Sequence, residues 1–232
     1  MQPRDFLRYG NSMATKKSAV RSLSQVFRLW AWILLAWCLY RYFFHLPEWT
    51  DEFIFKPLIF VVPVIWYVRN KEKQSLATLG LTWNNFFTSV YIGLGFGVVF
   101  SLEGLATHII KYGKLDVNPI AAFGQYGFFL IILSLATAFT EEFLSRGFVF
   151  NRLYEKTKNL AYSSVISSFM FMALHVPILV TTTKLQGTTL VLFFVTDFVL
   201  AMANSLLYYN TGSLVAPILV HIFWNMTVAL YL

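Results

Sequence analysis

The chain alternates long apolar runs with short polar connections, and the runs approach the roughly 20 residues that a membrane-spanning helix needs. The first extends from about Leu29 to Phe44 and is rich in Trp and Tyr, which suit a membrane interface. The second, about Phe53 to Val68, is shorter and carries Pro57 and Pro63, so a kink is expected. The third, about Phe86 to Ile110, holds Gly93 and Gly97 at a spacing that lets helices approach closely. A fourth starts near Phe123 and ends in Thr140-Glu141-Glu142-Phe143-Leu144-Ser145-Arg146-Gly147. Three more follow, at about Ala161–Thr182, Thr188–Tyr209 and Leu214–Leu232. Between the second and third runs, a polar connection, Arg69 to Gln74, is followed by a segment through Asn85 that is expected to lie at the interface.

This pattern predicts an all-α, polytopic transmembrane helical bundle of about seven helices, six to eight, around a membrane-embedded polar cavity. Composition agrees: 57% of the 232 residues are hydrophobic and 12% charged, against about 25% charged in soluble domains. Residues 1–25 read as a basic cytoplasmic tail, with Arg4, Arg8, Lys16, Lys17 and Arg21, and residues 26–232 as a single transmembrane domain. The first apolar run lies far from the N-terminus for a secretory signal and no small-residue cleavage site follows it, so it reads as an uncleaved anchor.

The net charge of +7 changes this picture only in orientation. The basic residues gather ahead of the first run and in the 69–73 and 146–158 connections, while the 45–56 connection carries more acids than bases. The positive-inside rule then puts the N-terminus in the cytoplasm and the C-terminus outside, and gives no reason to invoke nucleic acid. The single cysteine, Cys38, excludes an internal disulfide and a thiolate-rich metal site.

Few ionisable residues fall inside the apolar runs: Glu103, His108, Glu141, Glu142, Arg146, His175, Asp197 and His221. Burying a carboxylate in hydrocarbon is unfavourable unless it is paired, so two adjacent ones demand a reason. On a helix Glu142 and Arg146 are four apart with the acid first, the favourable order for an ion pair. Glu141 points about 100° away and has no local cation. One acid is neutralised and its neighbour is left over, as acid–base chemistry requires. Phe171 and His175 share one helix face, and so do His221 and Asn225; a His and an Asn together offer donors to a developing oxyanion.

Each feature also has a plainer reading. A buried histidine alone is most simply a satisfied core residue, and Glu141-Glu142-Arg146 is compatible with a structural ion-pair network. Glu103 and Asp197 read as packing or partner-orienting residues, and Asp197 is placed to accept a hydrogen bond from a histidine and fix its tautomer. Together the plain readings weaken. At about 1.5 Å per residue, the depths of Glu141, His175 and His221 along their helices overlap, and one cavity open to the cytoplasm can hold all three.

Glu141-Glu142-x-x-x-Arg146, Phe171-x-x-x-His175 and His221-x-x-x-Asn225, in that order on successive apolar runs, resemble the CPBP family of intramembrane proteases. That family, also called Abi, includes the CAAX prenyl protease 2 type and bacteriocin-processing or self-immunity proteins. The resemblance covers about residues 123–232. It implies an intramembrane endopeptidase in which Glu141 and His175 activate a water, His221 and Asn225 stabilise the oxyanion, and Glu142 and Arg146 support the site.

The resemblance leaves two mechanisms: a glutamate-activated water without metal, or a metalloprotease in which Glu141, His175 and His221 ligate Zn²⁺. The chain has no His-Glu-x-x-His zinc helix, and Asn225 suits an oxyanion better than a zinc ion, so the metal-free form is expected. The substrate implied is a membrane-anchored protein or a peptide, lipidated ones included, reached within the bilayer. Ser145 and Ser205 lack the context of a serine rhomboid, and an aspartyl type needs two membrane aspartates where only Asp197 qualifies. The alternative reading is a non-proteolytic scaffold or bacteriocin self-immunity protein of the same fold. A transporter fits worse, because no inverted repeat is visible. With no organelle-targeting segment, the expected location is a prokaryotic cell membrane.

Overall fold

A computed structural model describes residues 22–114 and 118–231, and every regular element in them is helical. The basic tail therefore lies outside the described residues up to position 21, and the first helix, α1 (Leu23–Phe43), begins slightly before the expected boundary. The Ser22 side chain caps it by accepting a hydrogen bond from the Ser24 amide.

Helix α2 occupies residues 48–72 and is irregular. Wide π-helical turns at Asp51–Phe55, Pro57–Val61 and Val68–Glu72 interrupt it. Pro57 and Pro63 each remove a backbone donor, which is why this apolar run does not form a straight rod. Helix α3 covers Phe86–Tyr112 and α4 covers Asn118–Glu142. The α4 axis continues through a π-helical stretch, Phe143–Phe150, into Asn151–Thr157. Helices α5 (Leu160–Ile178), α6 (Gly187–Thr211) and α7 (Val215–Tyr231) complete the bundle.

Among the described residues, five stretches are long and apolar enough to cross a membrane: Leu23–Phe43, Phe86–Ile110, Gly127–Thr157, Leu160–Thr183 and Gly187–Thr211. The apolar part of α7, Val215–Leu230, is shorter. Of the seven runs expected, α2 is thus interrupted around its prolines, and the turn at Gly212, whose φ is +67°, ends α6 just before α7 starts at Val215.

The main core lies between α1, α2 and the helical continuation of α4 beyond Glu142, where Val26, Trp37, Phe60, Val64, Phe143, Phe148 and Leu153 are buried. Helix α3 packs on α7 through its glycines. A methyl group on Gly93 would meet Leu219 Cβ at 2.9 Å, and one on Gly97 would meet the Phe223 ring at 2.5 Å. This is the close approach that the Gly93–Gly97 spacing predicts.

The segment after α2 is more than a surface connection. Its short 3-10 turn, Leu76–Leu79, pushes a fully buried Leu79 into the bundle. The segment is fixed there by hydrogen bonds from Asn151 Nδ2 to the Thr78 carbonyl and from the Leu214 amide to the Gly80 carbonyl. The 146–158 stretch is also not a simple basic loop. Arg146 and Arg152 are fully buried, the latter against Glu72 at 2.8 Å, and only Lys156 and Lys158 are exposed. Likewise Asp51 and Glu52 are buried helix residues rather than loop acids: Asp51 pairs with Arg41.

The wedge leaves no room at Gly147, where an added Cβ would lie 2.8 Å from the Leu79 carbonyl oxygen. Gly147→Ala is therefore expected to destabilise the fold by about 1–3 kcal/mol, despite the better helix propensity of alanine. A lower thermal unfolding midpoint in detergent checks this.

Candidate active site

The acid pair sits where α4 passes from regular to π-helical geometry, a wide turn often found at functional positions. Glu142 is fully buried and acts as a hub. Its Oε1 accepts from Arg146 Nη1 at 3.0 Å, from Asn204 Nδ2 of α6 at 2.9 Å and from His221 Nδ1 of α7 at 2.8 Å. The Glu142–Arg146 pair expected from the spacing is present. The Arg146 guanidinium also lies over the Phe171 ring, 4.4 Å from its centroid.

Glu141 is not left without a cation. Lys56 Nζ of α2 donates to its Oε1 at 2.7 Å and lies 2.7 Å from Glu52 Oε1. Glu52 Oε2 in turn accepts from Thr137 Oγ1 at 2.7 Å, one turn before Glu141 on α4. What is left over is one oxygen of Glu141 rather than the whole side chain. Its Oε2 is buried without a hydrogen-bond partner among the described residues, and stands 3.7 Å from His175 Nε2 and 3.7 Å from His221 Nε2.

The two imidazoles are oriented from behind. His175 Nδ1 is 3.3 Å from the Phe171 carbonyl oxygen and 3.6 Å from Asp197 Oδ2. The Phe171 carbonyl oxygen can only accept, so the Nδ1 proton is on this side and Nε2 faces Glu141; Asp197 lies near without a direct hydrogen bond. His221 donates Nδ1–H to Glu142, and its Nε2 likewise faces Glu141. The Phe171 ring separates them, with centroids 4.9 Å from His175 and 5.9 Å from His221.

The structure thus brings Glu141, Glu142, Arg146, His175, His221 and Asp197 together. Asn225 lies one turn beyond His221 on α7 and is half-buried, with no hydrogen bond to the group. Glu103 and His108 lie on α3. Sequence reasoning missed Lys56, Glu52, Thr137 and Asn204. Glu52 and Lys56 carried a usable signal, an acid followed four residues later by a base beside Pro57.

A distance of 3.7 Å is too long for a direct hydrogen bond, and a water at about 2.8 Å from both atoms would sit beside the line that joins them. A carboxylate oxygen flanked by two imidazole nitrogens can polarise such a water and take its proton. Most of the site is buried; the His175 side chain retains 20% exposure and marks its accessible edge. Among the described residues, no group of three or more His, Cys, Asp and Glu side chains is arranged to hold a metal ion.

Residues 123–227 match the family model described as Rce1-like, type II CAAX prenyl endopeptidase. No curated protein matches the chain, and no solved structure matches it.

Proposed function

Residues 123–227 place this chain in the CPBP/CAAX prenyl protease family of membrane endopeptidases, and from that premise we propose that it hydrolyses peptide bonds with a water activated by Glu141 and His175. It is a multi-pass membrane protein. The observation that carries the mechanism is the unpartnered Glu141 Oε2, facing His175 Nε2 and His221 Nε2 at 3.7 Å each.

In this reading a water held between Glu141 Oε2 and His175 Nε2 gives its proton to the pair as its oxygen attacks the scissile carbonyl carbon. The tetrahedral oxyanion is met by the Asn225 amide and by His221. With Nδ1–H given to Glu142, His221 would offer its Nε2 donor to the oxyanion as the imidazolium. As the C–N bond breaks, the proton taken from water passes to the leaving amine. Glu142, itself held by Arg146 and Asn204, holds His221, while the Phe171 carbonyl holds His175, with Asp197 Oδ2 3.6 Å away.

The donor set argues against Zn²⁺. Its carboxylate ligand would have to be Glu141, which already contacts the Lys56 ammonium at 2.7 Å, and a cation there would repel a divalent ion. The expected result is that a purified enzyme in proteoliposomes keeps its cleavage rate in excess chelator. Loss of the rate in chelator and its return with Zn²⁺ would overturn the metal-free mechanism and leave the peptidase assignment standing.

The substrate proposed is a membrane-anchored protein or peptide, with prenylated Cys-a-a-X chains the first to test. The Arg152–Glu72 pair sets the ends of α2 and α4 side by side, and Tyr67 donates to Gln25 at 3.1 Å near the start of α1. Arg69, Lys71, Lys73, Lys156 and Lys158 are exposed on these ends. This basic rim supports a cytoplasmic placement for the N-terminal side of α1.

A further inference from the structure

Lys56 lies outside the matched region and outside all three motifs, yet its ammonium touches the proposed base. We propose that Lys56 is a positioning residue for the reaction, a clamp that fixes Glu141 so that only Oε2 is presented to water. The proposal rests on the reading of Glu141 as the base.

The geometry is that of a two-point tie between α2 and α4. Lys56 Nζ holds Glu141 Oε1 at 2.7 Å, and Glu52 Oε2 accepts from Thr137 Oγ1 at 2.7 Å. Thr137 and Glu141 are successive turns of one α4 face, and Glu52 and Lys56 are successive turns of one α2 face. Lys56 also joins the two acids directly, at 2.7 Å from Glu52 Oε1. Sliding or rotating α2 against α4 breaks both cross-helix contacts together, Lys56–Glu141 and Thr137–Glu52. The remaining ammonium surface lies near Trp37, 5.9 Å from the ring centroid, so the aromatic wall of α1 encloses it.

A carboxylate with both oxygens unrestrained rotates about its terminal torsion, which is broad and roughly two-fold. Anchoring Oε1 removes that freedom and leaves Oε2 aimed between the two imidazoles. Lys56 itself sits where two π-helical turns meet, ahead of Pro57. The irregular backbone that breaks α2 as a membrane rod is the backbone that carries the ammonium to Glu141.

A plainer role would be charge balance, a lysine buried because two acids are. The two roles separate in a double variant. Lys56→Met leaves two close carboxylates unneutralised, whereas Lys56→Met with Glu52→Gln leaves the formal charge of the cluster unchanged and Glu141 unclamped. The full chain in proteoliposomes, with a farnesylated Cys-a-a-X peptide as probe, is assayed alongside thermal unfolding. Lys56→Met is expected to lower kcat by about 100-fold, the scale of a small misplacement of a reacting group, with KM within about threefold. The double variant is expected to unfold near the wild-type temperature and still show the low kcat. Lys56→Arg, which keeps charge and donors, is expected to recover kcat to within about tenfold of wild type.

A wild-type kcat in the double variant would reduce Lys56 to charge balance and overturn the proposal, as would a wild-type kcat in Lys56→Met. If Lys56→Met does not accumulate, the double variant decides. Glu141→Gln in the same assay separates the two levels. Activity there would remove the parent reading, whereas an inactive Glu141→Gln beside an active Lys56→Met would remove only the clamp.

Discussion

Glu141→Gln is expected to lower the cleavage rate by about 10³- to 10⁴-fold or more, the upper range for loss of a general acid–base group, while the protein still inserts and folds. The substitution keeps the shape of the side chain, and the amide oxygen can still accept from Lys56. Lys56 retains an anion in Glu52 at 2.7 Å, so no buried charge is stranded and the thermal unfolding midpoint should stay close to wild type. The chemistry is lost because an amide cannot take a proton from water at the position facing His175 and His221. Rates in proteoliposomes, with unfolding measured in detergent on the same preparations, check both halves. A Glu141→Gln protein cleaving at the wild-type rate would remove Glu141 from the mechanism altogether.

Much of this site was legible because its chemistry is local on single helices. The acid-first spacing of Glu142 and Arg146 predicts an ion pair, and the two meet at 3.0 Å. Phe171 and His175 share a face, as the spacing says, with rings 4.9 Å apart. Asp197, read as a histidine partner, lies 3.6 Å from His175 Nδ1. The apolar runs gave the helices nearly as they stand.

What was not legible depends on pairing between helices far apart in sequence. Lys56 and Glu141 are separated by 85 positions, and nothing in the α4 pattern announces a cation from α2. Asp51 and Glu52 look like loop acids because they fall between apolar runs, and Arg152 looks like a loop base for the same reason. Each is buried because it meets an opposite charge: Arg41, Lys56 and Glu72 respectively. The wedge at Leu79 escaped notice because a polar flank hides one apolar side chain, and Gly147 marks its slot only once the fold is known. His221 spans both acids, with Nδ1 on Glu142 and Nε2 toward Glu141, a link between helices that its own run does not announce.

That division of labour gives Glu142→Gln an outcome opposite in kind to Glu141→Gln. Arg146 is 1% exposed and Glu142 is its anion. Removing that charge while keeping the side-chain shape strands a buried guanidinium, which costs about 3–5 kcal/mol. Phe171 beneath the guanidinium offers only a cation–π contact of about 2 kcal/mol when desolvated, and that contact already exists in the wild type. The thermal unfolding midpoint should therefore fall sharply. Activity should fall as well, by about 10- to 100-fold at temperatures where the variant is folded, because His221 loses the carboxylate that holds Nδ1–H and keeps Nε2 aimed at the reacting centre. Two measurements on each variant, unfolding midpoint and kcat, then separate the neighbours. Glu141→Gln should be stable and inactive, and Glu142→Gln unstable and partly active. The reverse pattern would mean that Glu142 is the base and Glu141, clamped by Lys56, is the structural acid.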